Sequence, residues 1–132
     1  MPTHAIHCEG RVIIDRDMRI EATLAVSTAT VQPEYHVDYI EYNVAGEPTL
    51  PSYTRGILTN TTDIVILNAP INNPRAEVIR LSIFNRDTVS TTMRIKTQDG
   101  LTSTERTIMN KIVATQETLH YQRGVGWYVT NS

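Results

Sequence analysis

Between Ala76 and Asn85 the side chains alternate, Ile79, Leu81 and Ile83 being separated by Arg80 and Ser82. An extended strand sends successive side chains to opposite faces, so this run has one apolar face and one mostly polar face. The same period returns in Val89, Met93 and Ile95 against Ser90, Thr92, Arg94 and Lys96, and in Val125, Trp127 and Val129 against Gly126 and Tyr128. Thr and Val recur throughout. No run of about 12 residues carries apolar positions at i, i+3, i+4 and i+7 between helix caps. Helix is therefore the minority state, and the core must form by laying sheets against each other.

Turn signals separate the strands. Asn85-Arg86-Asp87 reads as a turn that joins its two flanking strands into a hairpin, and Asp99-Gly100 and Arg123-Gly124 read as two more, since Gly supplies the positive φ of tight turns. Thr104 to Val113 is expected to pair back on the strand before it, making the second half a meander. Upstream, strands are expected within Met18 to Val31, Tyr35 to Val44 and Tyr53 to Leu67, with breaks at Gln32-Pro33, Ala45 to Pro51 and Asn68 to Pro74. Strands every 8 to 12 residues or so predict an all-β fold, an antiparallel β-sandwich of jelly-roll or immunoglobulin-like type with about eight to ten short strands.

The sandwich is expected over residues 18–132 as a single domain, because a chain of 132 residues supports one hydrophobic core and would starve two. Met1 to Asp17 has clustered apolar residues without a clear pairing partner, and is read as an extended N-terminal arm that reaches a neighbouring molecule. His4, Ile6, His7, Val12 and Ile13 in that arm, with Tyr35, Tyr39 and Tyr53, are the residues expected to touch a protein partner.

Twelve Lys plus Arg against fourteen Asp plus Glu leave a formal charge of −2. Such a balance gathers neither nucleic acid nor anionic lipid. Apolar runs such as Ile64 to Leu67 fall far short of the roughly 20 residues that cross a bilayer, and the N-terminus has no signal-peptide pattern, so synthesis in a cytosol is expected. A single cysteine, Cys8, forms no intramolecular disulfide and reads as a small apolar residue.

Chemistry-bearing residues do not converge on a reaction. His4, His7, Cys8 and Glu9 form the densest set of metal-ligand types, but a structural zinc site takes two separated ligand pairs and no second Cys or His pair exists. His36 and His120 fall in separate strands as half-exposed residues. The carboxylates Asp15 and Asp17, and Glu34 and Asp38, read as exposed charges. There is no Gly-x-Ser-x-Gly element, and Gly124-Val125-Gly126 precedes a strand where a dinucleotide fingerprint would open a helix. Asn60-Thr61-Thr62 matches a glycosylation acceptor, which has no meaning without a secretory route. No catalytic residue, metal or cofactor is expected. An exposed row of Tyr35, Tyr39 and Tyr53 would instead make the chain a carbohydrate- or receptor-binding module.

The C-terminal stretch Glu117-Thr118-Leu119-His120-Tyr121, followed by Gly124, Gly126, Trp127, Tyr128 and Val129, resembles a recurrent ending of small β-sandwich virion structural proteins of tailed bacteriophages. Asp63 to Pro70, Arg80 to Asn85 and Thr91 to Lys96 are similar to the same proteins, so the resemblance spans Thr59 to Asn131. The chain departs at Gln116, where Gly is usual before the Glu. The resemblance implies a non-enzymatic virion protein, first of all a head decoration or cement protein that stabilises the capsid lattice, and otherwise a neck, tail or fibre-anchoring component. Its implied partner is the major capsid protein or another virion protein. A homo-oligomer is expected, a trimer by the symmetry of capsid lattices.

Overall fold

The computed structural model describes residues 11–131, which form ten strands and no helix. Six strands make one sheet: β1 (Val12–Asp15), β3 (Glu34–Tyr42), β4 (Ser52–Ile57), β6 (Arg75–Phe84), β9 (Glu117–Gln122) and β10 (Gly126–Asn131). The other four make the second: β2 (Met18–Leu24), β5 (Ile64–Leu67), β7 (Thr91–Asp99) and β8 (Glu105–Val113). All pairings are antiparallel, so the expected sandwich is what the chain forms.

The first sheet runs β10-β9-β6-β3-β4 and the second β5-β2-β7-β8. The long strand β6 organises the first sheet. One of its edges pairs with β3 along its whole length, while the other is shared by β1, over Arg75 to Val78, and β9, over Arg80 to Phe84. Between the sheets lie Ile20, Ala22 and Leu24 of β2 and Met93 and Ile95 of β7, together with Val37 of β3, Leu81 and Ile83 of β6, and Leu119 and Tyr121 of β9. Alternation along each strand delivers these residues to one face, as the period of two requires.

The alternation slips once in β6. The pairing with β3 jumps from Asp38↔Arg80 to Tyr39↔Val78, leaving Ile79 as the extra residue of a bulge. Ala76 and Val78 before the bulge and Leu81 and Ile83 after it are buried, while Ile79 is half-exposed and drops out of the apolar face expected for it. Its carbonyl accepts a hydrogen bond from the Arg123 N–H at 2.9 Å, which seats the β9–β10 turn on the bulge.

Three sequence expectations need correction. Asn85-Arg86-Asp87 does not close a hairpin, because β6 and β7 belong to different sheets. Asn85 is fully buried there: its Nδ2 donates to the carbonyls of Val89 at 3.0 Å and Val113 at 2.9 Å, and its Oδ1 accepts from the Asp87 N–H at 3.1 Å. A segment held this way carries the chain from one sheet to the other. The second half is likewise no meander. It is two hairpins, β7–β8 at Gly100 and β9–β10 at Gly124, placed in opposite sheets.

The arm expected over residues 1–17 is, from Val12 to Asp15, a strand of the domain. Val12 and Ile14 point into the core because they share the parity of Val78 and Ala76 across the pairing. Residues 1–10, with His4, Ile6, His7, Cys8 and Glu9, lie outside the described residues.

Candidate functional site

Among the described residues four charged groups are buried, Asp87, Glu77, Lys96 and Glu21, and each is engaged by the fold. Asp87 accepts backbone N–H groups of Ala29 at 2.8 Å, Thr30 at 2.9 Å, Val31 at 3.2 Å and Thr88 at 2.9 Å. The Ala29 bond leads these in holding its carboxyl down to about 2, against the opposing pull of burial. It thereby pins the segment after β2 to the crossing between sheets.

Glu77 sits on the outer face of β6 yet is buried, covered by Arg11, which donates from Nε at 2.9 Å and Nη2 at 3.1 Å, and by the Tyr42 hydroxyl at 3.1 Å. Burial pushes its carboxyl up, but Arg11, Tyr42 and the Arg123 guanidinium outweigh it and the net direction is down. On the second sheet, Lys96 donates to Asp63 at 2.9 Å and Glu105 at 3.1 Å, with Glu21 Oε1 at 3.9 Å. Glu21, Asp63 and Glu105 bring carboxylate oxygens within 4.8 Å of one another, a spacing that would suit a divalent cation. The Lys96 ammonium already serves as the cation of that cluster. Burial lowers it, the two carboxylates outweigh this, and its net shift is up.

The surface is more informative. Among the described residues the four most exposed large apolar side chains are Val44 and Leu50 at 88%, Ile71 at 82% and Leu101 at 78%. All four belong to loops at one end of the sandwich. The register places them there: Tyr42 pairs with Arg75 where β3 ends and β6 begins, and Met18 pairs with Asp99 where β2 begins and β7 ends. The β1–β2 turn is tied to the β7–β8 turn by the Gly100 N–H, which donates to the Asp17 carbonyl at 2.7 Å. Leu101 stands between two shallow grooves, one of about 530 Å³ shared with Val44 and Pro74, the other of about 440 Å³ shared with Ile71 and Pro70. Asp15, Arg16, Asp17, Arg75 and Asp99 line these grooves with charges of both signs.

Of the residues expected to touch a partner, Val12 and Tyr35 are buried inside their own chain and do not contribute to a surface. Tyr35, Val37 and Tyr39 share one parity on β3, so both tyrosines face inward, Tyr39 partly exposed. The Tyr35 ring lies against Gly56, where a Cβ would come within 2.8 Å of its hydroxyl. Ile13 is half-buried opposite Glu77. Tyr53 alone of the three tyrosines is well exposed, and it stacks on His36 with ring centres 5.5 Å apart. The predicted tyrosine row therefore does not form. The loop residues Val44, Leu50, Ile71 and Leu101 went unmarked because segments rich in Gly, Pro and Asn read as breaks. The signal was an isolated large aliphatic residue inside such a break, with no strand to turn it inward.

No helix among the described residues is long and apolar enough to cross a membrane. No family model, no curated protein and no solved structure matches the chain.

Proposed function

We propose that the chain is a non-enzymatic structural component of a tailed-phage virion, a head decoration protein that docks on the capsid lattice through its loop end. The observation that carries this reading is the collection of Val44, Leu50, Ile71 and Leu101 at one end of the sandwich. Large aliphatic side chains held in water on loops forgo burial that would favour folding, and exposed apolar patches rimmed by polar groups mark contact surfaces. The mixed charges of the rim supply register for a partner of complementary pattern.

A second observation supports the resemblance behind this reading. Gln116, which stands where the resembling ending carries Gly, has a φ of 69°. That left-handed conformation is the one glycine adopts without strain. Glycine, which is usual at this place in the resembling ending, would sit there without strain.

The test is cosedimentation of the full chain with undecorated phage heads, comparing it with a variant carrying Val44→Ser, Leu50→Ser, Ile71→Ser and Leu101→Ser. The native chain is expected to saturate heads at a fixed copy number per capsomer as an oligomer. The variant, with unchanged circular dichroism, is expected to bind about 100-fold more weakly. Equal saturation by both chains would overturn the loop-end reading. A native chain that ignores heads and binds purified tails would move the partner to the neck or tail.

A further inference from the structure

The outer face of the six-stranded sheet carries a second set of features, remote in kind from the aliphatic loop end. Register places Tyr128, His120, Ser82, His36 and Arg55 in one row across β10, β9, β6, β3 and β4. The next row holds Gln122, Arg80, Asp38 and Tyr53. Two ring pairs stand on this face. His120 stacks on Tyr128 with centres 4.8 Å apart and planes inclined by 16°, and His36 on Tyr53 at 5.5 Å and 7°.

Each pair is stacked, and each tyrosine stands on the strand away from β6, Tyr128 on β10 and Tyr53 on β4. Each imidazole thus has one face covered by its tyrosine and the other turned toward β6. There Ser82, with a side chain of only two heavy atoms, lies between them. Two strand spacings separate β9 from β3, about 9.5 Å. One ring of a ligand fits between two ring faces at that separation, each contact taking about 3.5–4 Å. A cleft of about 420 Å³ continues from this gap over Glu34 and His36, between Ser82 and Phe84 on one side and Arg55 and Ile57 on the other.

Charge narrows the ligand. Asp38 is occupied, accepting from His36 Nε2 at 2.9 Å, and Glu34 faces Arg86 at 3.9 Å. Arg55 and Arg80 are exposed, and no carboxylate among the described residues lies within ion-pair distance of either. Around the gap and its cleft Arg55, Arg80 and Arg86 therefore stand against Glu34 and Asp38, although the whole chain has a formal charge of −2. One surplus positive charge is far too little for a phosphate backbone, whose binding rests on neutralising many phosphates at once. It suits a ligand with one carboxylate for each stacking ring.

We propose that this face is a binding site for a chain of carboxylated sugars, with one pyranose ring between His36 and His120 over Ser82 and its carboxylate on Arg80. Ser82 and Gln122 supply hydroxyl and amide groups for the sugar hydroxyls, and the cleft toward Arg55 takes the neighbouring residue. The sheet face accommodates an extended chain, and its polar, ring-bearing surface shares no residue with the loop end described above.

Affinity electrophoresis of the full chain in gels containing polygalacturonate, neutral dextran or no polymer tests the proposal, beside titration with a single-stranded oligonucleotide. Retardation by polygalacturonate alone is expected. Ser82→Trp, which fills the gap, and Arg80→Gln, which removes the carboxylate partner, should each weaken retention about tenfold with unchanged melting temperatures. Leu101→Ser should leave it unchanged. Absence of retardation by polygalacturonate overturns the proposal, as does retention that survives Ser82→Trp. Equal retardation by dextran overturns the role given to the carboxylate, and equal binding of the oligonucleotide overturns the choice of a saccharide.

Discussion

Arg11 clasps Glu77 with two hydrogen bonds, 2.9 Å from Nε to Oε2 and 3.1 Å from Nη2 to Oε1, at the point where β1 enters the first sheet. The contact ties Arg11, just ahead of β1, to β6. Arg11→Ala leaves the buried carboxylate with Tyr42 and the more distant Arg123, and should cost about 1–3 kcal/mol in urea denaturation. Deleting residues 1–17 removes in addition the buried Val12 and Ile14, worth about 1.5–3 kcal/mol each, against a total stability of about 5–15 kcal/mol. The truncated chain should be unfolded or close to it by circular dichroism. A truncation that melts like the full chain would show that β1 adds nothing to the sheet.

Acid stability should report on Asp87. Its carboxyl is held down to about 2 from 3.8 because four backbone N–H groups donate to the ionised form. A carboxyl depressed in the folded state contributes stability that is complete above the unfolded value and lost as pH falls toward the folded one. The native chain is therefore expected to lose stability between roughly pH 4 and pH 2. Asp87→Asn should be less stable than the native chain at pH 7, and its stability should fall less steeply across that acid interval. Parallel pH profiles for the two chains would remove Asp87 from the account of acid unfolding.

Much of this architecture was legible because strand alternation and Gly turns are local. The strand over Ala76 to Asn85 and the hairpins at Asp99-Gly100 and Arg123-Gly124 follow from neighbouring residues alone. What failed required knowledge of the partner strand. Asn85-Arg86-Asp87 has turn chemistry, but Asn85 bonds to Val113, a residue 28 positions away, and that is what sends the chain to the other sheet. Ile79 looks like a core residue until a bulge against Asp38 and Tyr39 shifts the phase. The site was harder still. Tyr53 faces outward only because it pairs with Asp38, and His120 meets Tyr128 only through the β9–β10 register, so neither ring pair is visible in the order of residues.

Trp127, the only tryptophan, packs against the core beside Tyr121, with ring centres 5.1 Å apart. Its indole Nε1 is buried with no hydrogen-bond partner among the described residues. Two opposing consequences follow. Trp127→Ala should cost about 3 kcal/mol, the low end for removing a large ring, since the side chain is only half-buried. Trp127→Phe keeps most of the packing and relieves an unsatisfied donor worth about 1–3 kcal/mol, so its net change should stay within about 1 kcal/mol. Urea melts followed by far-ultraviolet circular dichroism would measure both. A phenylalanine variant as unstable as the alanine variant would mean that the indole N–H is satisfied by water.

Gln116 offers a gain in place of a loss. It occupies the turn between β8 and β9 at a φ of 69°, and its N–H donates to the Asn85 carbonyl at 2.7 Å, so the turn cannot relax without breaking that bond. A side chain in the left-handed region costs about 1–2 kcal/mol. Glycine removes that strain but gains freedom in the unfolded chain, which returns about 0.4–1 kcal/mol. Gln116→Gly should therefore stabilise the protein by about 0.5 kcal/mol, while Gln116→Ala keeps the strain and should give no gain. If glycine proved less stable than alanine, the left-handed backbone at this turn would have to cost less than glycine's extra freedom in the unfolded chain.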